Sequence, residues 1–82
     1  MNIEYTDTEQ CFANETTTAW FLVDDEKWGV RFGGYPLSAD LVDYEGNSEY
    51  LYIPFKHSAQ DIFDHLLPTA QDETGIVIID NP

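Results

Sequence analysis

The chain has few basic residues. Three Lys and Arg stand against 16 Asp and Glu, which gives a formal net charge of −13 at pH 7. Nucleic acids and anionic membranes are themselves negatively charged, so this balance argues against direct binding to either. It favours a basic partner, with fast association that added salt weakens.

Cysteine and long apolar runs are also scarce. The single cysteine, Cys11, excludes an internal disulfide and is expected to be a small buried side chain in a reducing compartment. No stretch approaches the ~20 apolar residues of a membrane span. The first ten residues lack the basic region and apolar run of a signal peptide. We therefore predict a cytoplasmic protein without membrane contact.

Motifs for catalysis and cofactor binding are missing as well. The glycine pair at 33–34 is followed by Tyr35-Pro36, which does not begin a helix as a phosphate-binding loop requires. The acidic cluster at 24–26 is too compact for a calcium-binding loop. With 16 carboxylates in the chain, chance pairs are expected, so a catalytic pair carries little information. We predict a protein that is not an enzyme and has no cofactor.

One set of residues resembles a metal site. His57, Asp61 and His65 are spaced by four, which would align them on one helix face. However, Ser58 is a good N-cap, and a helix beginning there leaves His57 outside it. We therefore predict two solvated histidines and no metal.

Aromatic residues are abundant by contrast: 2 Trp, 5 Tyr and 5 Phe. Disordered acidic chains lack such side chains, so we expect residues 1–82 to fold as one acidic domain. The clearest pattern is the alternation within residues 19–33, which predicts a β-hairpin with one apolar face. Six residues form that face, paired across the hairpin as Val23 with Trp28, Phe21 with Val30 and Ala19 with Phe32.

The same register sets the other face of the predicted hairpin. It places Trp20 across from Arg31 and Asp24 across from Lys27, both favourable cross-strand pairs. The connection has neither Asn-Gly nor Asp-Gly, so a four-residue type I loop is expected in place of a tight type I′ turn.

Less distinct segments precede and follow this hairpin. A short strand is predicted over 2–5, and a short helix capped by Asp7 over 8–13. Residues 37–40 are expected to form a connector, with Ser38 capping one helical turn. A second hairpin is predicted from strands 41–45 and 49–55. An even loop between them places Val42, Tyr44, Leu51 and Ile53 on one face, opposite Asp43, Glu45, Tyr50 and Tyr52.

The clearest helix is predicted over 58–67. Ser58 caps it, and Pro68 is expected to end it. Residues 69–75 are then a polar loop, and the apolar run 76–79 an interior strand. The fold class is α+β: a small, twisted, mostly antiparallel sheet of four to six strands with one main helix packed on it. The apolar stripe of that helix comprises Ala59, Ile62, Phe63, Leu66 and Leu67.

The acidic surface is the candidate functional site. Carboxylates in rows along strands and turns lie at spacings that can imitate a phosphate track, and exposed tyrosines can anchor an interface. We expect the acidic residues to bind a basic nucleic-acid-binding protein. The predicted partner-binding residues are Asp24, Asp25, Glu26, Asp40, Asp43, Glu45, Glu49, Tyr50 and Tyr52.

In size, acidity and missing catalytic motifs, the chain resembles the small acidic inhibitors that phages and mobile elements encode. That resemblance is one of composition, and it implies a nucleic-acid mimic that blocks a nuclease, a restriction enzyme or a CRISPR effector complex. The alternative is a protein–protein interaction module, such as an immunity protein, an adaptor or an assembly subunit. It would bind through Trp20, Leu22 and the tyrosines, and a homodimer fits either function.

Overall fold

The computed structural model of the protein describes residues 1–48 and 58–78. One antiparallel sheet has the strand order β1-β2-β3-β4, so each strand pairs with its neighbours in sequence. A single helix, α1, packs on this sheet, which confirms the predicted α+β class. The elements are β1 (Ile3–Cys11), β2 (Thr16–Val23), β3 (Glu26–Gly33), β4 (Ser38–Val42) and α1 (Ala59–Thr74). Within the described ranges, no helix combines the length and apolarity needed to cross a membrane.

The core lies between the sheet and α1. All six residues predicted for the apolar face of the hairpin belong to it, together with Leu41. From α1, Ile62, Leu66 and Ala70 are fully buried against the sheet. Burying one large apolar side chain stabilises a fold by about 1.5–3 kcal/mol, so this layer is the main source of stability. We call the face of the sheet that α1 covers the helix face, and the opposite one the far face.

The β2–β3 connection is tighter than the sequence predicted. Val23 pairs with Glu26, so Asp24 and Asp25 alone form the turn. Their φ angles of 49° and 70° are both positive, as a type I′ turn requires. Asn2 explains this geometry, because its carbonyl accepts from the Asp24 N–H and its own N–H donates to Asp24 Oδ1, each at 2.8 Å.

The tighter turn shifts the predicted register by two residues. Phe21 now faces Trp28, and Ala19 faces Val30. The predicted face assignment survives, because a shift of two residues preserves the side on which each side chain lies. The predicted far-face pairs are wrong: Trp20 faces Gly29, not Arg31, and Asp24 is in the turn and not across from Lys27.

Residues 3–11 form one strand, so the predicted helix over 8–13 is wrong. This segment pairs with the whole of β2, and that pairing outweighs its weak helical pattern. A bulge between Tyr5 and Asp7 leaves Thr6 as the extra residue, and the Thr6 hydroxyl donates to the Trp20 carbonyl at 3.1 Å. Because of the bulge, Tyr5 lies on the helix face while Asp7 lies on the far face.

Residues 38–42 form β4, so the predicted connector is a strand and the predicted strand 41–45 ends early. The physical reason is the Asp43 side chain. Its Oδ1 accepts from the backbone N–H groups of Glu45 at 2.9 Å and Asn47 at 3.0 Å, which closes a loop after Val42. The second strand of the predicted hairpin, 49–55, lies outside the described residues.

Helix α1 begins as predicted but continues beyond Pro68. Ser58 is the N-cap, and its hydroxyl accepts from the Asp61 N–H at 3.2 Å. The predicted polar loop 69–75 is instead mostly helix, because Ala70 extends the buried stripe by another turn. Gly75, with φ 74°, ends the helix in the left-handed conformation.

The residues after α1 are not a strand over 76–78, as the sequence predicted; residue 79 lies outside the described ranges. Side chains of α1 hold their backbone instead. Thr74 Oγ1 accepts from the Ile76 N–H at 3.2 Å, and Gln71 Oε1 accepts from the Ile78 N–H at 2.9 Å. Ile76 and Ile78 therefore pack against the core while Val77 is exposed.

The position of Pro68 inside α1 yields a stability test. Proline in a helix interior removes one hydrogen bond and crowds the preceding turn. We expect Pro68→Ala to raise the free energy of unfolding by about 1–3 kcal/mol in urea denaturation. Thr69→Ala, one position further along the same helix, should change it by only about 0.5 kcal/mol. A Pro68→Ala variant no more stable than the parent would place Pro68 outside the helix.

The turn at Asp25 yields a second stability test. A residue with a Cβ is strained at φ 70°, whereas glycine is not. Asp25→Gly should therefore raise the free energy of unfolding by about 0.5–1 kcal/mol. Asp25→Asn removes the same charge and keeps a side chain, so it isolates the electrostatic contribution. Equal stability of the two variants in thermal denaturation would rule out strain at this turn.

Candidate functional site

Two connections leave the sheet at the same end. The β2–β3 turn lies there, and so does the loop of residues 43–48, because β4 runs antiparallel to β3 and Val42 pairs with Gly29 near the start of β3. This juxtaposition brings together five of the predicted partner-binding residues. We call them the acidic end: Asp24, Asp25, Glu26, Asp43 and Glu45.

The acidic end is rigidly built. The Asp24 side chain accepts a hydrogen bond from the backbone N–H of Asn2, which directly precedes β1. Asp43 is half-buried and accepts two backbone N–H groups, so it shapes its loop as well as carrying charge. Asp25, Glu26 and Glu45 are exposed to solvent. Asp24 and Asp25 therefore lie in a turn that Asn2 holds in place. Asp43 and Glu45 lie in a loop that the Asp43 side chain closes.

Asp40 does not join the acidic end. It lies in β4 on the far face, where its carboxylate is 3.7 Å from the guanidinium of Arg31 on the neighbouring strand. Both side chains are partly exposed, so the ion pair contributes at most about 1 kcal/mol to stability. Three further predicted residues, Glu49, Tyr50 and Tyr52, lie outside the described residues.

Both basic side chains in the described part contact the protein itself. Arg31 also donates to the Gly46 carbonyl at 3.1 Å, which holds the loop after β4 against the far face. Lys27 Nζ lies 4.5 Å from the centroid of the Trp20 ring, a cation–π contact. The third base, Lys56, lies outside the described residues. The charge at the acidic end is thus left largely uncompensated by these two bases.

An acidic row on β1 was missed by the sequence analysis. Glu4, Asp7 and Glu9 are exposed and lie on the far face, since they pair with Leu22, Trp20 and Thr18. Two of them, Asp7 and Glu9, are about 6.8 Å apart, the repeat of a strand face. The row was not predicted, because residues 8–13 were assigned to a helix. In addition, the bulge interrupts the period of two by which residues on one strand face are recognised.

Of the residues on which the alternative function relied, Trp20 and Leu22 lie on the far face of the described sheet, whereas Tyr50 and Tyr52 lie outside the described residues. Trp20 is only 7% exposed, and Leu22 is half-buried. Gly29 makes room for the indole, because a Cβ there would lie 2.8 Å from Trp20 Cε3. Trp20 is therefore a structural residue and not an exposed anchor.

The residues whose spacing resembled a metal site, and the single cysteine, can now be located. Within residues 1–48 and 58–78, no group of three or more His, Cys, Asp or Glu side chains is arranged to hold a metal ion. His65 is exposed, with Nδ1 2.7 Å from the Asp61 carbonyl oxygen, and His57 lies outside these ranges. Cys11 is exposed at the end of β1, so the prediction that it is buried is wrong.

Comparisons were made with protein-family models, with curated proteins and with solved structures, and none of them matches this chain. The geometry and charge of the acidic end are therefore the basis on which a function is proposed.

The electrostatics of the acidic end are visible at Tyr44. Its hydroxyl donates a hydrogen bond to the Glu45 carboxylate, and this bond raises the pKa of Tyr44 above its ordinary value of 10.0. The negative charges of Glu45 and Asp43 raise it further, because the phenolate would form beside them.

This arrangement predicts a pH titration. Glu45→Gln removes the nearest negative charge, so the pKa of Tyr44 should fall towards 10.0 and the phenolate should appear at lower pH. The measurement is an NMR titration of the Tyr44 ring carbons. Glu73→Gln, on the exposed surface of α1, is the control and should leave this pKa unchanged. An unaltered Tyr44 titration in Glu45→Gln would contradict the described hydrogen bond.

Proposed function

We propose that this protein is an inhibitor that occupies the basic, nucleic-acid-binding surface of a partner protein, in the manner of a nucleic-acid mimic. The partner is a nuclease, a restriction enzyme or a CRISPR effector complex, and the acidic end is the main contact. The observation that carries the proposal is the convergence of two acidic loops at one end of the sheet, where five carboxylates outnumber the two bases of the described part, Lys27 over the Trp20 ring and Arg31 beside Asp40.

Exposure of the carboxylates supports this function. Of the 16 acidic residues, Glu49 and Asp80 lie outside the described ranges, which leaves 14. Asp43 is half-buried, and the other 13 are exposed. Charges in water interact weakly with one another, yet they remain available to a partner that desolvates them. The described part of the protein therefore exposes almost all of its carboxylates to the surroundings.

The spacing of the carboxylates also supports the proposed function. Neighbouring carboxylates on a strand face or a turn stand about 5–7 Å apart. DNA presents one phosphate for about 3.4 Å of rise along its axis on each strand, over a longer backbone path. A groove lined by Lys and Arg for a phosphate backbone can therefore receive carboxylates at such intervals. The β1 row extends the acidic surface from Glu4, near the acidic end, to Glu9.

The net charge acts before contact. A value of −13 attracts a basic surface over a distance set by the ionic strength, about 10 Å in 0.1 M salt. Association should therefore be fast in dilute salt and slow markedly as salt is added. Fast association favours an inhibitor that competes with duplex DNA, because the inhibitor and the DNA are attracted to the same basic surface.

The proposal is tested by DNA cleavage with a restriction endonuclease, a non-specific nuclease and a CRISPR effector complex. We expect the protein to inhibit at least one of them, with relief by excess duplex DNA and by salt. The variant Asp25→Asn, Glu26→Gln, Glu45→Gln should lose about tenfold or more in potency, equal to about 1.4 kcal/mol or more of binding free energy. Asp24 and Asp43 are left intact because they hold the turn and the loop.

The control variant carries the same change in net charge on another surface. Asp64→Asn, Asp72→Asn, Glu73→Gln neutralises three exposed carboxylates of α1. It should retain most of the inhibition. Equal loss in the two variants would show that net charge alone matters, and inhibition of none of the three enzymes would refute the proposed function.

A further inference from the structure

An exposed aromatic ring stands among the carboxylates of the acidic end. Tyr44 is 67% exposed and lies in the loop after β4, between Asp43 and Glu45 in sequence. The sequence analysis placed it on the same strand face as Val42. Val42 is buried in β4, whereas Tyr44 follows the end of the strand and is not part of the described core. Packing of that core therefore does not account for this ring.

The loop holds the ring in place. The Tyr44 hydroxyl donates to the Glu45 carboxylate, whose Oε2 also accepts from Asn47 Nδ2 at 3.4 Å. The backbone is fixed as well, because the Asp43 N–H donates to the Asn47 carbonyl and the Gly46 N–H to the Asp43 carbonyl, both at 2.9 Å. A side chain that is already held loses little conformational freedom when a partner binds, so the ring is preorganised for contact.

The ring adds no charge at physiological pH. The hydrogen bond to Glu45 and the neighbouring negative charges raise the pKa of Tyr44 above 10.0, so the phenol stays protonated. Residues 43–45 thus offer a carboxylate, an uncharged aromatic ring and a second carboxylate in succession. A nucleic-acid strand likewise combines charged phosphates with uncharged aromatic bases.

Bases are accessible in a single strand but not in a duplex. Within a duplex they are stacked inside the helix, and proteins that hold the backbone contact phosphates and sugars. A ring that projects among carboxylates therefore has no counterpart on the backbone of a duplex. Proteins that bind single strands combine a basic groove with aromatic side chains on which unpaired bases stack. A phenol ring suits such a site, because it has a flat π face as a base does.

We propose that Tyr44 takes the place of an unpaired base, so that the partner surface is a single-strand-binding groove with a stacking site. This inference rests on the proposed function and narrows its partner. A CRISPR effector complex that holds a displaced single strand has such a groove, and so does a nuclease that cleaves unpaired strands. A restriction enzyme that binds duplex DNA is disfavoured.

The test compares half-inhibitory concentrations against a single-strand-specific nuclease, a CRISPR effector complex and a restriction endonuclease. We expect inhibition of at least one of the first two. Tyr44→Ser should lose about fivefold to 150-fold in potency, the range measured for the stacking of one base. Tyr44→Phe and Tyr44→Trp keep an aromatic face and should retain most of the potency. Tyr44→Leu is apolar but has no π face, so it should lose nearly as much as Tyr44→Ser.

Tyr35→Ser is the matched control. Tyr35 is also exposed, but it lies between β3 and β4, at the opposite end of the sheet from the acidic end. The same chemical change there should leave the potency unaltered. Circular dichroism should show an unchanged fold in every variant, because both tyrosines are exposed.

Three results overturn the inference. They are a Tyr44→Ser variant as potent as the parent, a Tyr44→Leu variant that retains potency, which indicates an apolar pocket, and inhibition of the restriction endonuclease alone. The proposed function survives each of them if Asp25→Asn, Glu26→Gln, Glu45→Gln loses potency. Inhibition of none of the three enzymes refutes both the function and the inference.

Discussion

Burial of β2 on both faces is the constraint on which the rest of the structure depends. Four consecutive residues, Thr18 to Phe21, are buried, so neither face of this strand can be left to solvent. Phe21 and Ala19 require a covering layer on one side, which α1 supplies. Trp20 requires space on the other, and the absence of a side chain at Gly29 supplies it. A central strand of this kind fixes the order of its neighbours.

Alternation within residues 19–33 was sufficient to predict which side chains enter the core, but not the register. Parity explains the difference, because a slip of two residues keeps every side chain on its face and changes every partner. The deciding contact joins Asp24 to Asn2, 22 positions earlier in the chain. No local pattern contains that information, so the tight turn could not be predicted from its own two residues.

Pro68 and the β1 bulge mark the other limits of the sequence analysis. A proline normally ends a helix, yet Ala70 buries one more turn of α1, and that tertiary contact outweighs the local penalty. In β1, the extra residue Thr6 interrupts the period of two on which strand recognition depends.

The same limits apply to the candidate site. Its acidic residues were identified by composition, since 16 of 82 residues are acidic. Their grouping was only partly predictable. Asp43 and Glu45 were expected as neighbours on a strand face, but Asp43 instead caps a loop. The turn at 24–25 and the loop at 43–48 come together because of the strand order. That order could not be predicted before it was known which strands pair.

The edge of β1 affects how readily the protein aggregates at high concentration. In the described sheet β1 is the outer strand, and an outer strand invites another chain to add to it and begin a fibril. A second β1 arriving there would meet a kinked backbone at Thr6 and like charges from Glu4, Asp7 and Glu9 about 5 Å away. The acidic row and the bulge therefore disfavour the addition of a second β1 at this edge of the described sheet.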